Sequence, residues 1–364
     1  MSTIVHVDLG ERSYDIRIGA HPGSEVMRGM TGGRRVLIVS DDNVDPLYGD
    51  SWSAQCDQYG LEVFRATVPA GESSKDLQFT TELYEKALDA GLDRGSMIVA
   101  LGGGMVGDLA GFVAATFLRG IPLIQAPTSL LAMVDSSVGG KTGVNLPRGK
   151  NLVGVFYQPH EVVLDLSTLT TLPDDEYASG LAEIVKYGVI WDAELFRELE
   201  NKADRVLKRD PQLMEYVVTR CCEIKAEVVG RDEKESGLRA ILNYGHTLGH
   251  AIEQVYGYGA WLHGQAISLG MVYAGELSRR AKGFPVDDQR RVIALLEHFG
   301  LPVESTNTGL SSRWGGIRSA MAADKKSRDA VPHFVLAEAI GTVAIGCAVD
   351  DSVLEDTYRE CFGE

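Results

Sequence analysis

Between residues 36 and 126, short apolar runs alternate with segments of helical period. This alternation constrains the fold more than any other feature of the 364-residue chain. Val36-Leu37-Ile38-Val39 is a continuous apolar run that stops at Ser40-Asp41-Asp42-Asn43. Residues 61–64, 97–101 and 123–126 repeat the texture. Residues 79–90 and 109–118 carry apolar side chains at helical spacing, and Gly91 stops the first of these segments. Strands that alternate with helices pair in parallel and are covered on both faces. The pattern predicts an α/β fold with a Rossmann-like parallel sheet, preceded by a hairpin of residues 4–9 and 14–18 around Gly10.

After Leu172-Pro173 the texture changes. Residues 175–187, 193–208, 211–230, 245–255, 264–282 and 287–299 all read as helices, with Pro211 at a helix start and Gly300-Leu301-Pro302 at a stop. The chain is therefore expected to form an α/β domain over residues 1–172 and a mainly α-helical domain over 173–364, with the site in a cleft between them. The net charge is −16, so nucleic acid and anionic membranes exert no long-range attraction, and an anionic substrate needs a local basic site. No apolar run approaches the roughly 20 residues of a membrane span, and the first residues lack the apolar core of a signal peptide. The five cysteines are odd in number and form no C-x-x-C pair, which suits reduced thiols and a cytoplasmic location.

Three constellations carry chemistry. Gly102-Gly103-Gly104-Met105-Val106-Gly107 satisfies G-x-G-x-x-G between a strand and a helix. Glycines there let a pyrophosphate approach the helix N-terminus, and the other reading is tight helix-on-sheet packing. Asp41 and Asn43 could hydrogen-bond a ribose, and Glu72 and Lys75 could act nearby. His246 and His250 lie four apart on one helix face, His263 follows, and Glu183 sits in an apolar helix. Two imidazoles and a carboxylate suit a catalytic metal with an open position, but Thr247 stands where a zinc hydrolase has its Glu. The third constellation is cationic. Lys141 lies in a Gly-Gly-Lys-Thr segment that resembles a phosphate loop, although Asp135 replaces its leading Gly. Lys150, Lys186, Lys225, Arg239, Lys325 and Lys326 adjoin glycine loops or the metal candidates, a grouping able to hold a phosphate and a carboxylate together.

Six spaced segments resemble the 3-dehydroquinate synthase family within the sugar phosphate cyclases: GGGMVGDLAGF at 102–112, DSSVGGKTGVN at 135–145, AEIVKYG at 182–188, NYGHTLGHAIE at 243–253, His263-Gly264 and Asp324-Lys325-Lys326. The resemblance implies an NAD-binding N-terminal domain, a helical metal domain holding one divalent ion (zinc or cobalt), and a homodimer. It implies conversion of 3-deoxy-D-arabino-heptulosonate 7-phosphate to 3-dehydroquinate and phosphate in the shikimate pathway, by transient oxidation, phosphate elimination, re-reduction and an intramolecular aldol closure. Glu183, His246 and His263 match the metal ligands, which makes His250 a substrate-side group. Asp135, Lys141, Asn151, Lys186, Lys225, Arg239, Asn243 and Lys325 or Lys326 match substrate-binding or catalytic positions. Arg119 and Lys150 match residues that hold the phosphate and carboxylate regions. Asp41, Asn43, Glu72, Lys75, Gly103, Gly104, Met105, Asp108, Thr128, Ser129, Thr171, Leu172 and Glu176 match the NAD pocket, to which Lys141 and Lys150 are also assigned. Gln265, where the family has Glu, departs from the pattern, as do Ser129 and Met133. Valiolone- and deoxy-inosose-forming cyclases, and a polyol dehydrogenase on the same scaffold, are the alternatives.

Overall fold

The computed structural model describes residues 2–19, 24–30, 34–257, 259–304, 309–323 and 332–363. The chain divides into two compact units: Met1–Leu172 with Met214–Lys234, and Pro173–Leu213 with Glu235–Glu364.

The first unit contains β1 (Thr3–Val7), β2 (Tyr14–Gly19), β3 (Arg35–Asp41), β4 (Glu62–Val68), β5 (Met97–Gly102), β6 (Leu123–Pro127), β7 (Lys141–Leu146), β8 (Gly149–Phe156) and β9 (Glu161–Asp165). Seven of these make one sheet in the order β1-β2-β9-β6-β5-β3-β4. All its pairings are parallel except β1 with β2. The strand period of two sorts each apolar run onto both faces. Leu37, Val39, Ile98 and Ala100 pack with Leu83, Ala87, Leu109 and Val113 of the helices Leu77–Asp89 and Gly104–Thr116. Val36, Ile38, Val99 and Leu101 pack with Met27, Cys56 and Ile124 on the other face. A sheet covered on both faces needs such uninterrupted runs, and each fully buried Val, Leu or Ile contributes about 1.5–3 kcal/mol.

This order places a topological switch at β3, with β4 on one side and β5 on the other. In open α/β sheets, ligands bind outside the carboxyl ends of the strands at such a point. Here those ends are Asp41 and Gly102.

The sequence texture missed β7, β8 and β9. β8 is mostly exposed and its partner β7 only partly buried, so the hairpin lacks the apolar run that marked the other strands. The phosphate-loop likeness of Gly-Gly-Lys-Thr also fails. Gly139 (φ 97°) and Gly140 (φ 66°) turn the chain, and Lys141 opens β7 rather than a helix. The helix Pro211–Arg231 joins the first unit from Met214 onward, where Cys222 and Lys225 meet Met133 and Asp135. Helical texture reports local conformation, not the packing partner, so it assigned all of 173–364 to one domain.

The second unit contains the helices Asp174–Ile190, Ala193–Asn201, Ala203–Leu207, His246–Tyr256, His263–Lys282, Val286–His298, Trp314–Ala323 and Asp351–Phe362. The stretch read as one helix over 193–208 breaks at Lys202. Asp192 caps its start by accepting from the Glu194 and Leu195 amides at 3.0 Å, a contribution of about 1 kcal/mol. A hairpin of β10 (His333–Ala339) and β11 (Thr342–Ala348) was also missed, and β11 is largely exposed. Leu248, Ile252, Leu269, Tyr273, Leu277, Leu336 and Phe362 form the core around the His246 and His263 helices.

Candidate functional site

Three helices of the second unit bring distant residues together. Glu183, fully buried, projects from Asp174–Ile190; His246 and His263 each begin a helix. Glycines permit the close approach. A Cβ on Gly270 would lie 1.9 Å from the Gly245 carbonyl oxygen, and one on Gly264 would lie 2.1 Å from that of Ser179. Gly245 also holds φ 79°, the left-handed turn from which the His246 helix starts. Ser179 Oγ accepts from the Gly264 amide at 2.9 Å and ties the Glu183 and His263 helices together.

His246 Nε2 and His263 Nε2 each stand 3.6 Å from Glu183 Oε1. The three ligand atoms lie within 4.8 Å of one another. His246 Nδ1 is 3.1 Å from the Tyr244 carbonyl, which can only accept, so the proton sits on Nδ1. In its neutral form the ring aims its Nε2 lone pair at a carboxylate oxygen, an arrangement that a cation between them relieves. His263 tells the same story. Burial opposes its charge, yet hydrogen bonding to Glu183 and Glu253 pushes its pKa up to about 10. The cluster draws in positive charge, and its N/N/O donor set with an open side fits a divalent ion of zinc type. Lys186 Nζ donates to Glu183 Oε2 from one turn further along the same helix.

His250 does not join this set. Its ring lies as close to His246 (centroids 5.2 Å) as that of His263 does (5.5 Å), but its nitrogens group with Glu253 and His263 rather than with Glu183. Glu253 received no role from the sequence. Its signal was available: residues 246, 250 and 253 fall at i, i+4 and i+7 and share one helix face. Asn243 Nδ2 donates to Glu235 Oε1 at 2.8 Å, and Arg239 is buried just before it. Gln265 caps its own helix by accepting from the Leu262 amide at 3.1 Å, so its amide suffices for a structural duty in which the family's Glu would serve equally. Glu176 lies half-buried in the first turns of the Glu183 helix, its pKa raised by burial and by Asp175.

In the first unit, residues expected at a dinucleotide gather at the switch point. Asp41 Oδ1 accepts from the Asn43 and Val44 amides at 2.9 and 3.0 Å, so it shapes the turn after β3. Gly103 is the N-cap of the helix Gly104–Thr116, which also carries Met105 and Asp108. The two readings of the glycine motif divide among its members. A Cβ on Gly102 would meet Val106 at 2.7 Å and one on Gly107 would meet Gln125 at 2.8 Å, so those two serve packing. Gly103 has only Ser129 Oγ nearby, at 3.6 Å, which leaves its helix start open. The Thr128 amide donates to the Gly102 carbonyl at 2.9 Å, and Ser129 Oγ accepts from the Ala132 amide at 3.3 Å. Thr171 Oγ1 lies 2.5 Å from Tyr48 Oη, and Leu172 follows it.

Lys75 Nζ donates to Asp108 Oδ2 at 2.7 Å and stands 3.6 Å from Glu72 Oε1. Burial disfavours the ammonium, but Asp108 and Glu72 outweigh it and raise its pKa, whereas burial dominates at Asp108 and raises that carboxyl. Asn145, given no role by the sequence, links this pair to the β7–β8 hairpin. It donates to Glu72 Oε1 at 2.8 Å and accepts from the Asn151 amide at 2.9 Å. Lys150 Nζ is 3.9 Å from the same Glu72 oxygen, and Lys141 is exposed. Lys225, buried, donates to Asp135 Oδ1 at 2.7 Å. Arg119 (φ 69°) and Asn151 (φ 51°) both hold left-handed backbone, as does Glu235 (φ 58°). Lys325 and Lys326 lie outside the described residues.

Known proteins resemble this chain over most of its length. The family model for the 3-dehydroquinate synthase N-terminal domain matches residues 65–179, and that for the C-terminal domain matches residues 180–327. A 3-dehydroquinate synthase of Geobacter metallireducens is 49% identical over 342 residues, 93% of this chain and 94% of that protein. A 2-deoxy-scyllo-inosose synthase solved with carbaglucose-6-phosphate, NAD+ and Co2+ superposes with a TM-score of 0.86 at 28% identity, covering 99% of this chain and 100% of that one. The 2-epi-5-epi-valiolone synthase ValA of Streptomyces hygroscopicus subsp. jinggangensis, solved with NAD+ and Zn2+, gives the same TM-score and identity over 97% and 98%.

Proposed function

The chain belongs to the 3-dehydroquinate synthase family, and from that premise we propose how its residues divide the work. It is a lyase that converts 3-deoxy-D-arabino-heptulosonate 7-phosphate to 3-dehydroquinate and phosphate, a step of the shikimate pathway. The observation that carries the reading is the convergence of Glu183, His246 and His263 on one point. These three residues would hold a zinc or cobalt ion. The β3–β5 switch point, with Gly103, Gly104, Met105, Asp108 and Thr128, would hold NAD, while Asp41 keeps its turn in shape.

When bound, NAD would supply a hydride acceptor that is regenerated when the hydride is returned, and a divalent ion would supply the Lewis acidity that eases loss of a carbinol proton. The remaining work falls to side chains. Lys186 holds the Glu183 carboxylate in orientation. Lys225 fixes Asp135, and the pair would hydrogen-bond the ring hydroxyls. Arg119, Lys141, Lys150 and Asn151 would hold the phosphate and carboxylate, and Arg239, Asn243, Lys325 and Lys326 complete the anion-binding set. His250, outside the ligand cluster, would move a proton at its imidazole. Five thiols outside any disulfide suit the cytosol, and the family resemblance supports a homodimer, which sedimentation would test.

The test is phosphate release from the heptulosonate phosphate with sub-stoichiometric NAD and Co2+, followed at the NADH absorbance band. The expected result is many phosphates per NAD with no net NADH, and 3-dehydroquinate by mass spectrometry and NMR. One NADH per phosphate would make the chain a dehydrogenase, and another carbocycle would make it a neighbouring cyclase.

A further inference from the structure

We propose that Glu253 is a positioning residue for the metal centre, holding the His263 imidazole so that its Nε2 faces the ion. The proposal rests on the metal-site reading above. Glu253 lies on the His246 helix, about two turns beyond His246 and one beyond His250, and it is buried. A carboxylate is rarely buried without a charged or hydrogen-bonding partner, because desolvation costs several kcal/mol. Its Oε2 stands 3.6 Å from His263 Nδ1, while His263 Nε2 faces Glu183 at the same 3.6 Å. The two ring nitrogens are thus divided between two acids. Glu183 shares its side of the ring with His246, and Glu253 stands at the other.

An imidazole that ligates through Nε2 carries its proton on Nδ1, and that proton needs an acceptor. His246 meets this need with the Tyr244 carbonyl. For His263 the group that faces Nδ1, at 3.6 Å, is a carboxylate, the stronger acceptor, which on closing to hydrogen-bond distance would raise the basicity of the ligating nitrogen. Because His263 is the helix's first residue, no preceding helical turn braces its ring. The acid on the neighbouring helix supplies that brace.

The test is Co2+ titration of chelator-stripped protein, read by visible absorption and by competition with a buffered chelator, for wild type and Glu253→Gln. Gln keeps the side-chain shape and removes the charge. Wild type should bind one Co2+ per chain. E253Q should bind it roughly 10–100-fold more weakly and with shifted d–d bands, at a melting temperature of the stripped protein close to wild type. Wild-type affinity and bands in E253Q would overturn the role of Glu253 and leave the metal centre standing. Two Co2+ ions in wild type and one, tightly held, in E253Q would make Glu253 a ligand of a second ion and overturn the proposal. Absence of stoichiometric Co2+ in wild type would remove the metal centre itself. Should E253Q fail to fold, Glu253→Asp keeps the charge and shortens the reach. Weakened, spectrally shifted binding is expected there too, and unchanged binding refutes the brace.

Discussion

Gly264→Ala adds one methyl group, touches no ligand side chain, and should nevertheless strip the metal. A Cβ at this position lies 2.1 Å from Ser179 O, 2.5 Å from its Cα and 2.6 Å from its carbonyl carbon. All three are backbone atoms, so no rotamer change relieves the clash. Ordinary contact begins at 3.4 Å, so the Glu183 and His263 helices must separate by about 1.3 Å at this point. Overpacking and loss of the Gly264–Ser179 hydrogen bond together cost roughly 2–4 kcal/mol. For a unit of this size that lowers the melting temperature by about 5–15 °C. Ligand atoms tolerate displacements of only about 0.2 Å, and His263 is the adjacent residue. Calorimetry of the stripped protein and metal analysis after dialysis would measure both effects. A G264A protein that melts with wild type and keeps its metal would refute the claim that these helices are clamped at the glycine.

His246→Ala should purify metal-poor, whereas His250→Ala should purify metal-replete with turnover reduced by roughly 10²–10⁴-fold if it moves a proton; metal content and phosphate release separate the two, and the reverse pattern would contradict the division of roles. Lys75→Met should destabilise the protein by roughly 3 kcal/mol, the low end for a broken buried pair because Asp108 stays 19% exposed. The raised pKa of Lys75 means that its stabilisation is present at neutral pH and is lost as pH rises through that value, above the usual 10.5. Urea denaturation should show a constant gap between wild type and K75M up to that range and a narrowing gap beyond it, and a gap that grows with pH would count against the pair.

Apolar runs made the parallel sheet legible, because strands buried on both faces cannot be written any other way. The half-exposed hairpin β7–β8 carried no such run, whereas β9 and β10 do carry short buried ones, Val162–Leu164 and Phe334–Ala337, outside the strand–helix alternation from which the sheet was legible. His246 and His263 stood out by residue type, but spacing favoured the pair His246–His250, since it sees only one helix. The third ligand comes from a helix docked through Gly264 against Ser179, a contact that local periodicity does not encode. Glu183 was legible as a carboxylate in an apolar helix, and the family likeness supplied the choice of His263 over His250. Glu253 was legible as an i+7 companion, yet a carboxylate on a helix face ordinarily means solvent, and its burial emerges only from packing.

The left-handed residues Arg119, Asn151 and Glu235 have an evolutionary consequence. Each non-glycine side chain in that conformation costs about 1–2 kcal/mol. Glycine would relax the backbone at all three. Laboratory selection for thermal robustness alone should therefore enrich glycine there and discard the guanidinium and amide proposed above to hold anions, together with the carboxylate that accepts from Asn243. A lineage that keeps all three is paying attention to turnover, and a descendant relieved of that duty should surrender these positions before it surrenders its core.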